Sequence, residues 1–316
     1  MDWLTDPLAL ELFRRALLEA VLMGATCGAI GAYVVLRRLA FIGDALSHAV
    51  FPGVVLAYVA GLPVFLGAMV AGAVTSTAIA IVSRAQRIRE DTAIGIFFAG
   101  AFALGIVLIS TQRGYQQDLS AFLVGDLLAV GWDDIAVSAI AGGAVIGVLV
   151  ALRKELLLVS FDRTYAEALG YPVFALELLL LLLLTATIVV SLAAVGIILV
   201  LAMLVTPAAT ARLLVDRFTP MMLVGALLGA LYGIVGWYVS YHLAWSPGGS
   251  IVLTATLGFV LAFVASPSHG LLAHRLRRHP QHDARRPAID QPAGHRHGGD
   301  EGAVVASLER RHPPGR

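Results

Sequence analysis

Long apolar runs broken by short polar segments set the pattern of this chain. From position 16 the runs fall at about 16–36, 40–60, 63–83, 92–111, 134–152, 173–214, 219–242 and 249–267. A membrane-crossing helix needs about 20 apolar residues. The 173–214 run is twice that and divides near Ala193–Gly196, so the pattern predicts nine transmembrane helices in an all-α, polytopic membrane protein.

The breaks carry their own signals. Residues 1–15 mix acids and arginines with Trp3, Leu4 and Phe13, which suits a short interfacial helix. Pro52 and Pro207 are expected to kink or interrupt the second and seventh spans. Asp91 is placed to N-cap the fourth. The 112–133 connection holds an apolar stretch too short to cross, readable as a re-entrant or surface helix, with Asp118, Asp126, Asp133 and Asp134 as a solvated or cation-collecting surface. In 153–172, Thr164 and Glu167 have capping-box spacing, and Gly170 with Pro172 ends a helix. A short helix at about 165–169, flat on the membrane surface, follows. Glu177 lies close enough to a span end to snorkel outward. Gly24 and Gly28, and Gly225, Gly229 and Gly233, recur every fourth residue as close-packing faces.

Composition agrees: 59% hydrophobic, 14% charged and mean hydropathy +0.85 over 316 residues, against about half apolar and a quarter charged in soluble domains. The single cysteine, Cys27, excludes an intrachain disulfide framework and a Cys-based metal site and reads as a small packing residue. The acidic start lacks the basic region of a signal peptide, so no cleavage is expected. Three parts result: an extracytoplasmic or interfacial segment (1–15), a transmembrane domain (16–267) and a disordered His/Arg-rich tail (268–316). Seven of the nine histidines lie in the tail, which suits contact with anionic lipid or weak metal binding. No nucleic-acid partner is expected.

Charge orients the spans. With nine crossings, Arg37, Arg38, Arg84, Arg87, Arg89, Arg153, Lys154, Arg163, Arg212 and Arg217 fall on one side with the tail, and only Arg14, Arg15 and Arg113 on the other. Positive residues mark the cytoplasm. The N-terminus is therefore outside and the C-terminus inside.

Asp44 and His48 are the chemistry within the apolar pattern. Four residues apart, they share one face of the second span. Ionisable groups in lipid are costly and usually functional. An imidazole nitrogen and a carboxylate oxygen suit a divalent metal, but such sites usually take four ligands. A symmetric dimer with this helix at its axis would supply the pair twice. The competing reading is a structural Asp–His pair without metal. Ser47 reads as packing or an outer partner. His242, beside Tyr241 and Trp245 at the outer end of the eighth span, reads as an interfacial anchor before a ligand.

Four stretches carry a resemblance. V-V-L-R-R-L-A-F-I-G-D-A-L-S-H-A-V-F-P-G (34–53), E-D-T-A-I-G-I-F-F (90–98), F-D-R-T-Y-A-E-A-L-G (161–170) and L-V-T-P-A-A-T-A-R-L-L (204–214) closely resemble, in order, the zinc/manganese/iron ABC importer permeases. The likeness covers about 10–267 and excludes the tail. It implies a dimeric bacterial plasma-membrane permease, served by a cytoplasmic ABC ATPase and an extracytoplasmic metal-binding protein. It further implies that Asp44 and His48 line the metal path. The segment holding Asp162, Ala166, Glu167 and Gly170 is then the coupling helix to the ATPase. No G-x-x-x-x-G-K-[ST] loop is present, so ATP hydrolysis is expected elsewhere. The cargo is Zn2+, Mn2+ or Fe2+, with zinc favoured by the overall pattern and the His-rich tail, and no permanent cofactor is expected. A proton-coupled secondary carrier using Asp44 and His48 as a relay is the alternative from another class. A permease for cobalamin or iron chelates shares the architecture, but the Asp–His pair speaks against it.

Overall fold

The structure is a computed structural model describing residues 9–84, 88–111 and 127–266. The helices are α1 (Glu11–Leu36), α2 (Ile42–Ala49), α3 (Phe51–Val59), α4 (Val64–Arg84), α5 (Glu90–Ser110), α6 (Trp132–Ala151), α7 (Arg153–Phe161), α8 (Arg163–Ala168), α9 (Val173–Val195), α10 (Ile197–Leu214), α11 (Phe218–Leu243) and α12 (Pro247–Ala265), with a 3-10 turn at Leu127–Ala129. No β-strand forms among the described residues. Nine helical segments there are long and apolar enough to cross a membrane, α2 and α3 together making one. The expected spans are thus present, within a few residues of the expected limits.

The bundle is built around α1. Its most apolar window is 72% buried, against 17% for α5 and for α12. Glycine is what admits its neighbours. A Cβ on Gly24 would meet the Gly229 carbonyl, and one on Gly28 the Gly225 carbonyl. One on Gly233 would meet the Ala20 carbonyl. Positions rise along α1 as they fall along α11, so the two helices run antiparallel, as a first and an eighth crossing must. Farther along the same face of α1 a Cβ on Gly31 would meet the Leu204 carbonyl of α10. Lipid gives helices no hydrophobic reason to associate, so close backbone approach and dispersion supply the attraction.

Several expectations need correcting. Residues 1–8 lie outside the described residues, but Glu11–Arg15 is the opening of α1, not a separate interfacial helix. Residue 50 separates α2 from α3, as Pro52 led us to expect. Pro207, by contrast, sits inside an unbroken α10. The carbonyl freed by its missing N–H is tolerated because the surrounding bundle shelters it. Asp91 is not the N-cap of α5; Arg89 takes that place, and Glu90 and Asp91 form the acidic first turn. The α9–α10 division falls at Gly196, whose φ of +81° suits glycine. Residues 153–161 form α7, a helix not foreseen, and α8 starts earlier than expected. Its N-cap is Asp162, whose Oδ1 accepts from the Tyr165 N–H at 2.8 Å, so Thr164 is not the cap. Gly170, at φ +82°, ends it as foreseen, with its N–H donating to the Glu167 carbonyl and that of Tyr171 to the Ala166 carbonyl. Asp133 and Asp134 open α6. The stretch read as re-entrant or surface-lying is described only from Leu127, and the tail from 268 lies outside the described residues.

Glu177 does not snorkel. It is 8% exposed and lies within α9 between two arginines. Glu19, on which the sequence reading placed no role, is fully buried and accepts from Ser138 Oγ at 2.7 Å. Cys27 is buried, with its sulfur 3.9 Å from Ser191 Oγ, in keeping with a packing role.

Candidate metal centre

Helix α2 is short and two-faced. Ile42, Gly43, Ala45, Leu46, Ser47 and Ala49 are buried, and a Cβ on Gly43 would come within 2.9 Å of Leu204 Cδ2 on α10. Asp44 and His48 lie on the opposite side, with side chains 39% and 20% exposed. Asp44 is in the first turn and His48 in the last, the placements a helix dipole favours for an acid and a base. This gives the pair a modest structural rationale of its own.

The geometry of His48 is specific. Its Nδ1 lies 3.0 Å from the Asp44 carbonyl oxygen and 3.5 Å from Asp44 Oδ1. A carbonyl only accepts, so Nδ1–H is the donor in this contact and Nε2 is the ring nitrogen that remains for a metal. The ring is edge-on to Phe98 and Phe102 of α5, at 5.5 and 5.3 Å between centroids. Aromatic walls fix the imidazole plane without competing for its nitrogen. Ser47 Oγ donates to the Gly43 carbonyl at 2.8 Å and is buried, so it packs the helix.

The helix ends just past His48 for a covalent reason. Pro52 cannot donate to the His48 carbonyl, and its ring crowds that oxygen. The chain restarts as α3 at Phe51. Broken helices at membrane depth persist only where protein or a cavity shelters the freed backbone. Among the described residues, no group of three or more His, Cys, Asp and Glu gathers in one chain, so Asp44 and His48 supply two side-chain ligands and no more. His242 lies with Tyr238 and Tyr241, at 6.4 and 5.1 Å between rings.

At the end of the bundle that holds the arginine-bearing connections, Asp162 caps α8 with one carboxylate oxygen and stays exposed, whereas Ala166 is fully buried and presents no surface to a partner. Glu167 is half-exposed and paired with Arg163 Nε at 3.3 Å. The exposed apolar residues of the segment are Phe161, Tyr165 and Leu169. The sequence reading missed them; Phe161 closes α7, and Tyr165 and Leu169 follow on and just past α8. At the other end, Trp132 Nε1 donates to Glu11 at 2.9 Å and Arg15 lies over the Trp132 ring.

The chain matches the ABC 3 transport family over residues 9–266. It is 45% identical over 270 residues to the manganese transport system membrane protein MntC of Halalkalibacterium halodurans, covering 85% of this chain and 92% of the relative. It is 38% identical over 272 residues to a probable iron transport system membrane protein of Haemophilus influenzae, covering 86% and 96%. Among solved structures, PsaBC from Streptococcus pneumoniae in complex with Fab superposes with a TM-score of 0.75 at 36% identity, covering 87% of this chain and 99% of that one. The resemblance read from four motifs therefore holds for the whole membrane domain: the chain belongs to the ABC 3 transport family, the membrane permeases of metal ABC importers, and is itself a transport subunit rather than an enzyme.

Proposed function

We propose that this chain forms the membrane path of an ATP-driven importer of a divalent first-row metal, manganese first, and that Asp44 and His48 are half of the transport site. The observation that carries the reading is the part-exposed pair on the side of α2 away from its buried face, with His48 Nδ1 turned to Asp44 and Nε2 left as the ring nitrogen for a metal. Two ligands are too few for a selective site, and a second copy meeting this one along that side doubles them. Nitrogen and oxygen donors suit manganese, iron and zinc alike. The sequence favoured zinc; relatives named for manganese and iron move the preference to manganese.

Contacts at the two ends support the orientation. Arg37 and Arg163, from connections assigned to the cytoplasm, meet Glu90 at the start of α5 and Glu177 in α9 at one end of the bundle. Arg15 and Trp132, assigned to the outer end, also meet. The N-terminus is then outside and the C-terminus cytoplasmic in a bacterial plasma membrane. Residues 268–316 form a cytoplasmic tail beyond the family match. An extracytoplasmic metal-binding protein delivers the ion at the outer face. A cytoplasmic ABC ATPase docks on α8, against Phe161, Tyr165, Glu167 and Leu169.

The test is reconstitution of the chain with its ATPase in liposomes, with the metal-loaded binding protein supplied outside. Radioactive manganese should accumulate only with ATP, and excess iron or zinc should compete less well than manganese. Accumulation driven by a proton gradient without ATP would instead favour a secondary carrier.

A second prediction separates two ways of disturbing α8. Leucine at fully buried Ala166 overfills its site, at about 1–3 kcal/mol, and tilts the helix. Alanine at Gly170 meets open space, and its cost of about 1–2 kcal/mol is left-handed backbone strain alone. Both chains should fold, and transport per ATP should drop more for Ala166→Leu than for Gly170→Ala. Equal, wild-type coupling in both would count against α8 as the coupling element.

A further inference from the structure

Glu177 is buried yet sits between two cations drawn from different segments. Its Oε2 lies 3.2 Å from Arg163 Nη1, and its Oε1 lies 3.9 Å from Arg37 Nη2. A buried carboxylate needs such partners, because losing one leaves a charge uncompensated. Arg163 is the first residue of α8 and is also tied to Glu167, so any shift of α8 carries its guanidinium along. Arg37 ends α1 and opens the turn into α2. Arg38 in that turn is held at φ +60°, with its N–H on the Val35 carbonyl and that of Leu39 on the Val34 carbonyl. Non-glycine residues pay strain there and keep it only where the surroundings over-determine the turn.

Arg37 reaches the metal pair by a second route. Its Nη2 donates to both oxygens of Glu90, at 2.9 and 3.0 Å. Glu90 opens α5, the helix whose Phe98 and Phe102 flank His48. A polar cavity of about 310 Å³ borders Arg37, Glu90, Arg163 and Glu177. It gives the two guanidinium groups room to exchange partners, and alternative pairings of this kind are how packed helices hold discrete positions.

We infer that Glu177 is a positioning residue that transmits the position of α8 to the Asp44–His48 segment, through Arg163 on one side and Arg37 on the other. The inference rests on the transport reading above. A purely structural Glu177 would alter thermal stability and leave the ratio of metal moved to ATP hydrolysed untouched.

The experiment measures that ratio in the reconstituted complex with ATPase and manganese-loaded binding protein. The variants are Glu177→Gln, Arg163→Gln, the double variant and Asp44→Ala. Glu177→Gln is expected to lower the ratio roughly tenfold. Arg163→Gln, at a more exposed position, should lower it similarly, and the double variant should be no worse than either single one. Wild-type ratios in both single variants overturn the relay, and so do defects that add. If Glu177→Gln does not fold, a wild-type ratio in Arg163→Gln overturns the relay alone, and a lowered one supports it. Asp44→Ala separates the two claims. Normal uptake there defeats the transport reading, whereas lost uptake with normal coupling in Glu177→Gln defeats only the relay.

Discussion

Alanine at Asp44 or His48 should abolish ATP-driven metal uptake and leave the chain folded in the membrane. In a two-copy site each substitution deletes two of four side-chain ligands at once. Losing even an outer-shell partner of a metal ligand costs roughly 10- to 100-fold in affinity, so losing ligands themselves should take binding below a useful level. The fold has little at stake. The buried side of α2 is anchored by Ile42 and Leu46, both fully buried, while Asp44 and His48 are on its open side. Removing His48 gives up its edge contacts with Phe98 and Phe102, about 0.5–1.5 kcal/mol each. Removing Asp44 gives up a favourable charge at a helix N-terminus, about 0.3–1 kcal/mol. Asp44→Asn sharpens the comparison, because it keeps shape and polarity but loses the anionic donor. Calorimetric manganese titration of the solubilised chain, alongside uptake, is the check. Uptake within twofold of wild type in both alanine variants would leave the pair as a helix-dipole feature and nothing more.

Some of this molecule was readable from the chain and some was not, for a physical reason. Hydropathy decides which segments enter lipid, so the spans, the division at Gly196 and the break before Pro52 were visible locally. Asp44 and His48 stood out because charge is rare in such a run, and helical spacing placed them on one face. Glu177 was misread because its partners Arg37 and Arg163 arrive from other segments, and only the assembled bundle shows that snorkelling is unnecessary. Pro207 was misread because a rule for isolated helices was applied where neighbouring helices shelter the freed carbonyl. Asp162 and Thr164 are both acceptable caps by residue type; where the chain turns decides between them. Phe161, Tyr165 and Leu169 were overlooked because apolar residues excite no notice in an apolar chain, although their exposure marks a surface.

The second large effect concerns Gly28. A Cβ there would meet the backbone carbonyl of Gly225 and come within 3.1 Å of the Ala226 nitrogen. Neither is the flexible end of a side chain, so relief requires moving α11 as a whole. The neighbouring contacts forbid that cheaply, because Gly24 opposes Gly229 in the same way and Gly233 opposes Ala20. Gly28→Ala is therefore expected to cost about 1–3 kcal/mol as overpacking, and Gly28→Leu to leave no folded chain. The matched control is Gly147→Ala on α6, where a Cβ meets open space. Helix propensity alone should make it neutral or stabilising by up to about 1 kcal/mol. Thermal unfolding of the solubilised protein reads both, and a Gly28→Ala chain melting with the wild type would show that α1 and α11 are not locked together. The lock also bears on transport. The Leu204 carbonyl faces Gly31 of α1 while Leu204 Cδ2 faces Gly43 of α2. Spreading α1 from its neighbours thus disturbs α10, and through Leu204 the helix that carries Asp44 and His48. Gly28→Ala should weaken manganese binding although it touches neither ligand, and unchanged binding in a destabilised Gly28→Ala chain would confine the effect to stability.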